Sequence, residues 1–531
     1  MTGAPPLIKY HPATPAMVFV FWQVFACVAG YVLYRWVRLS RDRPPLPPGP
    51  PPYPLIGHLG VVPQNAPERA YMAWSREYGS DVIYVNVLGK SIVVLNSASA
   101  ATDLLEKRGS IYSDRPAFPS FELMGYHDHL TFLSSKDSMF PAYRRLFQND
   151  FSKAASRKFV AIQENEARKL VHRIITKQGD WQTLMRLFST AVIMQILTGQ
   201  EILGPNDEYV AIAEGVNRAV SEGPPLGTAG LDLFPWLKYL PDWCDPTGST
   251  KHARKWTQAV DGVQSIPFLH VVKEIIKGTA KPSLVADAVY EEEARTQRGE
   301  ARILSDRQIQ GVIGAAYGAA QETTTDTLIA FVFGITTAPE VQKKAKVELD
   351  AVVDPDRLPK VADRESLPYI ERIVQETFRF WPTIPLGVPH RALQDDVYKG
   401  MFIPKGSLVL FNGAAISHDE TVYSDPWRFN PDRYLAKEQG GLGEPLPSSH
   451  FGYGRRICPG RFTAENSVFV AIATMLHVLS FTKELDEEGR EIIIDPERAE
   501  YTGGLGSHPK RVPCVIAAAS KRAAELVAEC M

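Results

Sequence analysis

The first long apolar run of the chain extends from Thr14 to Tyr34 and contains no charged residue. About 20 such residues suffice to cross the hydrocarbon core of a bilayer as a helix. Arg35, Arg38, Arg41 and Arg43 follow directly. Positive charge stays on the cytosolic side, so the pattern predicts a transmembrane anchor over 14–34, with residues 1–13 as a short lumenal N-terminus. A cleaved signal peptide would carry its positive charge before the apolar run, not after it. Arg43 then opens a segment made almost wholly of proline, as far as Pro54. Such a run is a stiff extended spacer. Its place between an anchor and a folded unit favours a basic, proline-rich hinge over 35–55 rather than a partner-docking polyproline segment. Residues 56–531 form the globular part.

Within that part, Val82–Val87 and Ile92–Leu95 read as a hairpin around Leu88-Gly-Lys-Ser91. Helical patterns fill most of 140–380, and short strands return around 397–411 and near the C-terminus. The predicted class is mainly α with small β-sheets. At 531 residues the chain exceeds the ~250–300 at which one core stops growing, so a large unit or two merged lobes is expected. The stretch 308–338 is long, apolar and rich in small residues, with Ser305 and Gln308 set as a capping box at its start. It is long enough for a second membrane span, but Gln321-Glu-Thr-Thr-Thr-Asp326 occupies its middle. Each carboxylate at a bilayer centre costs about 2.5–3.5 kcal/mol, so a buried helix crossing an internal site is the better reading.

A formal net charge of −2 offers no basic excess for nucleic acid and no acidic tail. The five cysteines, at 27, 244, 458, 514 and 530, are odd in number and form no CxxC pair. That argues against a disulfide framework or zinc site and for a reducing compartment. One cysteine stands apart, in Phe451-Gly-Tyr-Gly-Arg-Arg-Ile-Cys-Pro-Gly460. Gly452 and Gly454 allow sharp turns and close approach to something flat. Pro459 fits the first position of an apolar helix from about Phe462 to Leu479. Cys458 would then sit at a helix N-terminus, where exposed N–H groups stabilise a thiolate, the form that ligates iron.

On this segment the chain resembles the cytochrome P450 family, whose FxxGxRxCxG pattern is matched by Phe451, Gly454, Arg456, Cys458 and Gly460. The resemblance implies a P450 fold behind the N-terminal transmembrane helix. It implies haem b with Cys458 as axial thiolate, Phe451 packed against the ligand and Arg456 on a propionate. Arg144 and Arg391 would hold propionates too, although Phe140 stands where the family commonly has tryptophan. Glu376-Thr-Phe-Arg379 is the family's ExxR, and Arg433 would complete a structural Glu376–Arg379–Arg433 network. Ala319-Ala-Gln-Glu-Thr-Thr324 resembles the oxygen-activation helix, with Thr323 as hydrogen-bond donor and Glu322 as proton relay. Ala320 departs from the family's glycine. Microsomal members, and among them fungal secondary-metabolism enzymes, match best.

The implied activity is insertion of one oxygen atom from O2 into a lipophilic small molecule, a terpenoid intermediate or polycyclic aromatic. No flavin domain or nicotinamide fingerprint is present, so electrons are expected from NADPH through a separate membrane-bound flavoprotein, NADPH–cytochrome P450 reductase, docking near Arg455. The expected location is the endoplasmic reticulum membrane, single-pass, with the catalytic domain facing the cytosol. By analogy with the family, substrate contacts fall on Phe118, Phe121, Ala319, Ile384, Leu386 and Leu505. A haem-thiolate isomerase or dehydratase, and a haem-binding protein without turnover, are the competing readings. Glu322 and Thr323 argue against the first, Ala320 and Phe140 keep the second open, and turnover with NADPH and reductase separates them.

Overall fold

A computed structural model describes residues 23, 30, 31 and 43–531, apart from 64, 127 and 224–228. The anchor expected over 14–34 therefore falls almost wholly outside the described residues. Among those residues, no helix is long and apolar enough to cross a membrane.

Among the described residues, eight short strands form three small sheets: β1 Val82–Val87, β2 Lys90–Leu95, β3 His390–Arg391, β4 Asp396–Tyr398, β5 Met401–Ile403, β6 Leu408–Phe411, β7 Leu479–Lys483 and β8 Cys514–Ala518. The hairpin read from the sequence is β1–β2, antiparallel with Val82 opposite Leu95. β2 continues into a parallel pairing with β6, Ile92 against Leu408, and β6 carries β3 on its far edge. Seven helices matter for the site: α1 Phe140–Phe151, α2 Val160–Ile175, α3 Trp181–Thr198, α4 Ser249–Lys277, α5 Asp306–Thr337, α6 Pro368–Phe380 and α7 Arg461–Val478.

α5 is the axis of the helical part and packs against α3, α4, α6 and α7. Its long apolar composition reflects burial on nearly every side within the protein. Its start carries the predicted capping box: Ser305 Oγ accepts from Gln308 N–H, and Gln308 Oε1 accepts from Ser305 N–H at 2.8 Å. The polar run at mid-helix is largely satisfied by back-bonding. Thr323, Thr325 and Thr327 hydroxyls donate to the carbonyls of Ala319, Gln321 and Thr323 at 2.7–2.8 Å. α7 is equally enclosed, with every residue from Ser467 to Val478 buried. It begins at Arg461 with Gly460 as its cap, two residues later than Pro459 suggested.

Candidate functional site

Cys458 lies between a turn and the start of α7. Its N–H donates to Phe451 O at 2.9 Å, closing the loop on itself. Gly454, at φ 58°, makes this closure possible. A Cβ there would stand 2.2 Å from the Leu105 carbonyl oxygen, so only glycine lets the loop press against that backbone. Pro459 and Gly460 form the turn instead of the first helical positions. As a result, the N–H groups of Gly460 and Arg461 are spent on the Cys458 sulfur. Burial pushes the Cys458 thiol up, while these two N–H groups and the charges of Arg144 and Arg461 oppose it. The Phe451 ring leans edge-on to Phe378, with centroids 5.3 Å apart, and fixes the loop over the end of α6.

Above the sulfur is an internal cavity. Cys458, Phe451 and Gly460 border it, as do Ala319, Ala320 and Thr323 on α5, and Thr383 and Ile384 beyond α6. α3 contributes Phe188, Val192, Ile193 and Ile196, and α1 contributes Phe147 and Phe151. The methyl of Ala320 thus faces the cavity where the family pattern has glycine. No carboxylate lines this space among the described residues, but three arginines do: Arg115, Arg144 and Arg456. Each donates mainly to backbone carbonyls. Arg115 binds Thr131, Val388 and Pro389; Arg144 binds Ile457; Arg456 binds Ser113 and Leu133. Burial, then repulsion from Arg456, holds the Arg115 guanidinium well below its usual range. Burial also takes Arg456 down to about 10, despite the opposing charge of Asp114. Positive charges crowded beside an apolar chamber call for an anion. A flat, apolar group with two carboxylates fits this donor set, and a soft thiol below it suits iron.

Of the expected propionate partners, Arg144 and Arg456 border the cavity and Arg391 does not. Arg391 is bound to Asp114, with Nε donating to Oδ2 at 2.7 Å and Nη2 closer still. Asp114 is fully buried and accepts from Ser134 and Ser135 as well, so it needs a cation, and the bridge between residues 114 and 391 supplies one. Arg115, the next residue along, takes the cavity position instead. Phe140 is not idle: the Arg456 guanidinium sits 4.1 Å from its ring centroid, a cation–π contact in place of an indole N–H.

Four expected substrate contacts do not reach the cavity. Phe118 and Phe121 turn into an aromatic cluster with Phe132. Leu386 packs against the β1–β2–β6 face, and Leu505 is absent from the lining. Glu322 does not line it either. It points away from the chamber toward Asp326 and the Gly506 backbone, and burial, then Asp326, push its carboxyl up to about 8. Sequence reasoning missed Arg115, His390 and the α3 residues, none of which stands in a pattern that marks it.

Beneath the cavity, Glu376, Arg379 and Arg433 meet as expected. All three side chains are fully buried. Glu376 accepts from Arg379 Nε and Nη2 at 2.9 Å and from Arg433 Nε at 3.0 Å. It also accepts from Asn430 N–H and Tyr434 OH at 2.8 Å.

A half-buried thiol cradled by N–H groups, under an apolar chamber ringed by arginines, defines a haem-thiolate type of site. The cytochrome P450 family model matches residues 47–511, and the chain belongs to that family. A cytochrome P450 monooxygenase of Armillaria gallica is 34% identical over 94% of this chain and 97% of its own length. Cytochrome P450 monooxygenase 105 of Postia placenta is 34% identical over 100% of this chain and 98% of its own. A tryptamine 4-monooxygenase of Psilocybe cyanescens is 34% identical over 92% of this chain and 95% of its own. The protein is a cytochrome P450 monooxygenase, for which the family implies haem iron with a cysteine thiolate, a small-molecule substrate and a redox partner.

Proposed function

We propose that Cys458 is the thiolate ligand of haem b and that the enzyme inserts one oxygen atom from O2 into a neutral lipophilic small molecule, a terpenoid intermediate or polycyclic aromatic. The observation that carries this is the Cys458 sulfur, half-buried, held by two N–H groups and bordering an apolar chamber. When bound, the haem supplies oxygen activation at its iron, and the thiolate favours O–O cleavage. The protein's part is placement and protons. Arg115, Arg144 and Arg456 hold the propionates, and Phe188, Val192, Ile193 and Ile196 exclude water and orient the substrate. Thr323 Oγ1, which donates to Ala319 O at 2.7 Å, would turn to hold a proton at the cavity, and Glu322 would supply it.

The lining favours a neutral substrate over an amine. A relative carries tryptamine in its name, but among the described residues no carboxylate lines this chamber to receive an ammonium. We further propose that electrons come from NADPH through a separate membrane-bound reductase docking beside the exposed Arg455. The anchor would be single-pass in the endoplasmic reticulum with the catalytic domain in the cytosol, and the pathway a fungal secondary-metabolic or xenobiotic one. Full-length enzyme with reductase and NADPH, offered terpenes and polycyclic aromatics and read by mass spectrometry, should give products heavier by one oxygen. Isomerised or dehydrated products, or none at all, would replace the monooxygenase reading. Cys458→Ala should lose the thiolate-type spectrum of the reduced carbon monoxide complex, and an unchanged spectrum removes Cys458 as ligand.

A further inference from the structure

Behind the cavity wall, away from Cys458, two carboxylates share one enclosed space. Glu322 and Asp326 are one turn apart on α5, and the loop through Gly506 closes over both. The Cβ position of Gly506 lies 2.9 Å from Asp326 Oδ2 and 2.9 Å from Glu322 Oε1. The two oxygens are thus at most twice that distance apart, within the span of one bridging water. Asp326 Oδ2 is buried and has no hydrogen-bond partner, so it is a polar atom awaiting one. Its sister oxygen Oδ1 is 2.9 Å from His508 Nδ1. The Asp326 side chain is 4% exposed and that of His508 21%, so the imidazole reaches solvent where its partner carboxylate does not.

The loop that carries His508 is firmly held. His508 N–H donates to Thr502 Oγ1 at 3.0 Å, and Thr502 N–H donates to His508 O at 2.9 Å. Ser507 N–H donates to Thr383 O at 2.8 Å, and Trp381 Nε1 donates to Ser507 O at 3.1 Å. Thr383 itself lines the cavity. The histidine is therefore registered to the site by the same backbone that shapes the site.

We propose that His508, Asp326 and Glu322 form a proton relay from solvent to the Thr323 side of the cavity, with Asp326 and His508 acting through Glu322. The proposal rests on the proton-delivery reading of Glu322 and Thr323 given above. Each oxygen inserted consumes O2, two electrons and two protons: one oxygen atom enters the product and the other leaves as water. The electrons come from the reductase. A proton enters at His508 Nε2, and the Nδ1 proton passes to Asp326 Oδ1. Rotation of the protonated Asp326 carboxyl about its Cβ–Cγ bond then carries that proton to the Glu322 side, where it passes through one water to replace the one Glu322 has given up, and the imidazole regains its starting tautomer by proton exchange with solvent. The charged or titratable groups facing Glu322 are Asp326 on its own helix, Arg186 on α3 and Tyr126 from the loop before α1. Burial and Asp326 raise its carboxyl while Arg186 lowers it, which keeps a proton on Glu322 near neutral pH. Gly506 lets the loop lie close to both carboxylates, since a Cβ there would make one or both of them shift.

The test begins with the ferric holoenzyme, without substrate. The infrared carbonyl band of protonated Glu322, assigned by its loss in Glu322→Gln, should titrate at least one pH unit lower in Asp326→Asn. With reductase, NADPH and a sesquiterpene hydrocarbon that the wild type oxygenates, Asp326→Asn and His508→Gln should each lower product per NADPH about tenfold, the electrons appearing as peroxide. The carbon monoxide spectrum should be unchanged in both. If Glu322→Gln uncouples while Asp326→Asn and His508→Gln do not, the relay is overturned and the Glu322 reading stands. If Glu322→Gln does not uncouple, both fall. His508 lies near the surface, so its variant tests the relay even if Asp326→Asn fails to fold.

Discussion

Glu376→Gln changes one atom at the most enclosed charged cluster in the protein. Two guanidinium groups, Arg379 and Arg433, face two carboxylates, Glu376 and Glu444, and the buried set is neutral. Arg433 keeps a partner after the substitution, because its Nη1 also binds Glu444 at 2.5 Å. Arg379 loses its one carboxylate partner and is left with uncharged acceptors, among them the carbonyls of Ser417 and Arg428. The amide can accept at one position alone. Placed at Oε1, its oxygen still serves Arg379 Nη2, Arg433 Nε and Asn430 N–H, while its NH2 then meets Arg379 Nε. Tyr434 OH can rotate to accept, but the guanidinium cannot. One buried positive charge is left uncompensated and one donor faces another. Removing one partner of a buried pair costs about 3–5 kcal/mol, and that is the expected loss. Urea unfolding of the holoenzyme followed by far-ultraviolet circular dichroism measures it, with Glu444→Gln, at the rim of the cluster, as a milder comparison. A loss below about 1 kcal/mol, the level of an exposed pair, would refute the argument that the cluster depends on charge balance.

Thr323→Ala should leave the carbon monoxide spectrum intact and divert NADPH electrons to peroxide; unaltered product per NADPH removes Thr323 from proton delivery. Arg115→Leu should weaken haem retention more than Arg391→Leu, because Arg391 is spent on Asp114; haem loss to apomyoglobin measures this, and the reverse order would return Arg391 to the cavity. Glu322 is raised from 4.5 to about 8, so the folded protein holds a proton there that the unfolded chain releases. Its contribution to stability is present below pH 4.5 and declines as pH rises to about 8, by at most about 1.4 kcal/mol per unit. The difference in unfolding free energy between wild type and Glu322→Gln across pH 4–9 checks the sign, and a flat difference refutes it.

What could be read along the chain is what neighbouring residues decide among themselves. The β1–β2 hairpin follows from local alternation, and the start of α5 from a cap three residues long. The cysteine segment was legible because its glycines, arginine, cysteine and proline stand together as one short motif, and Glu376 with Arg379 because a helix puts positions three apart on one face. Even there, tertiary packing moved the start of α7 from Pro459 to Arg461, since the first N–H groups turn to the Cys458 sulfur.

The rest was set by contacts between segments far apart in the chain. Arg391 is a propionate partner expected from the sequence, and nothing in the sequence marks Arg115. Only the fold, by burying Asp114 opposite Arg391, assigns one to structure and the other to the cavity. Phe118 and Phe121 are apolar residues in the expected loop, yet their rings found Phe132 before any cavity. The pairing of Asp326 with His508 carries no local signature at all. Sequence by itself determined the family, the mainly helical class and the ligand cysteine's neighbourhood, because propensity, capping and short motifs act over a few residues. Which side chains face the chamber, and which carboxylate stays protonated beside it, depends on burial and on charges brought from elsewhere, and only the tertiary structure decides that.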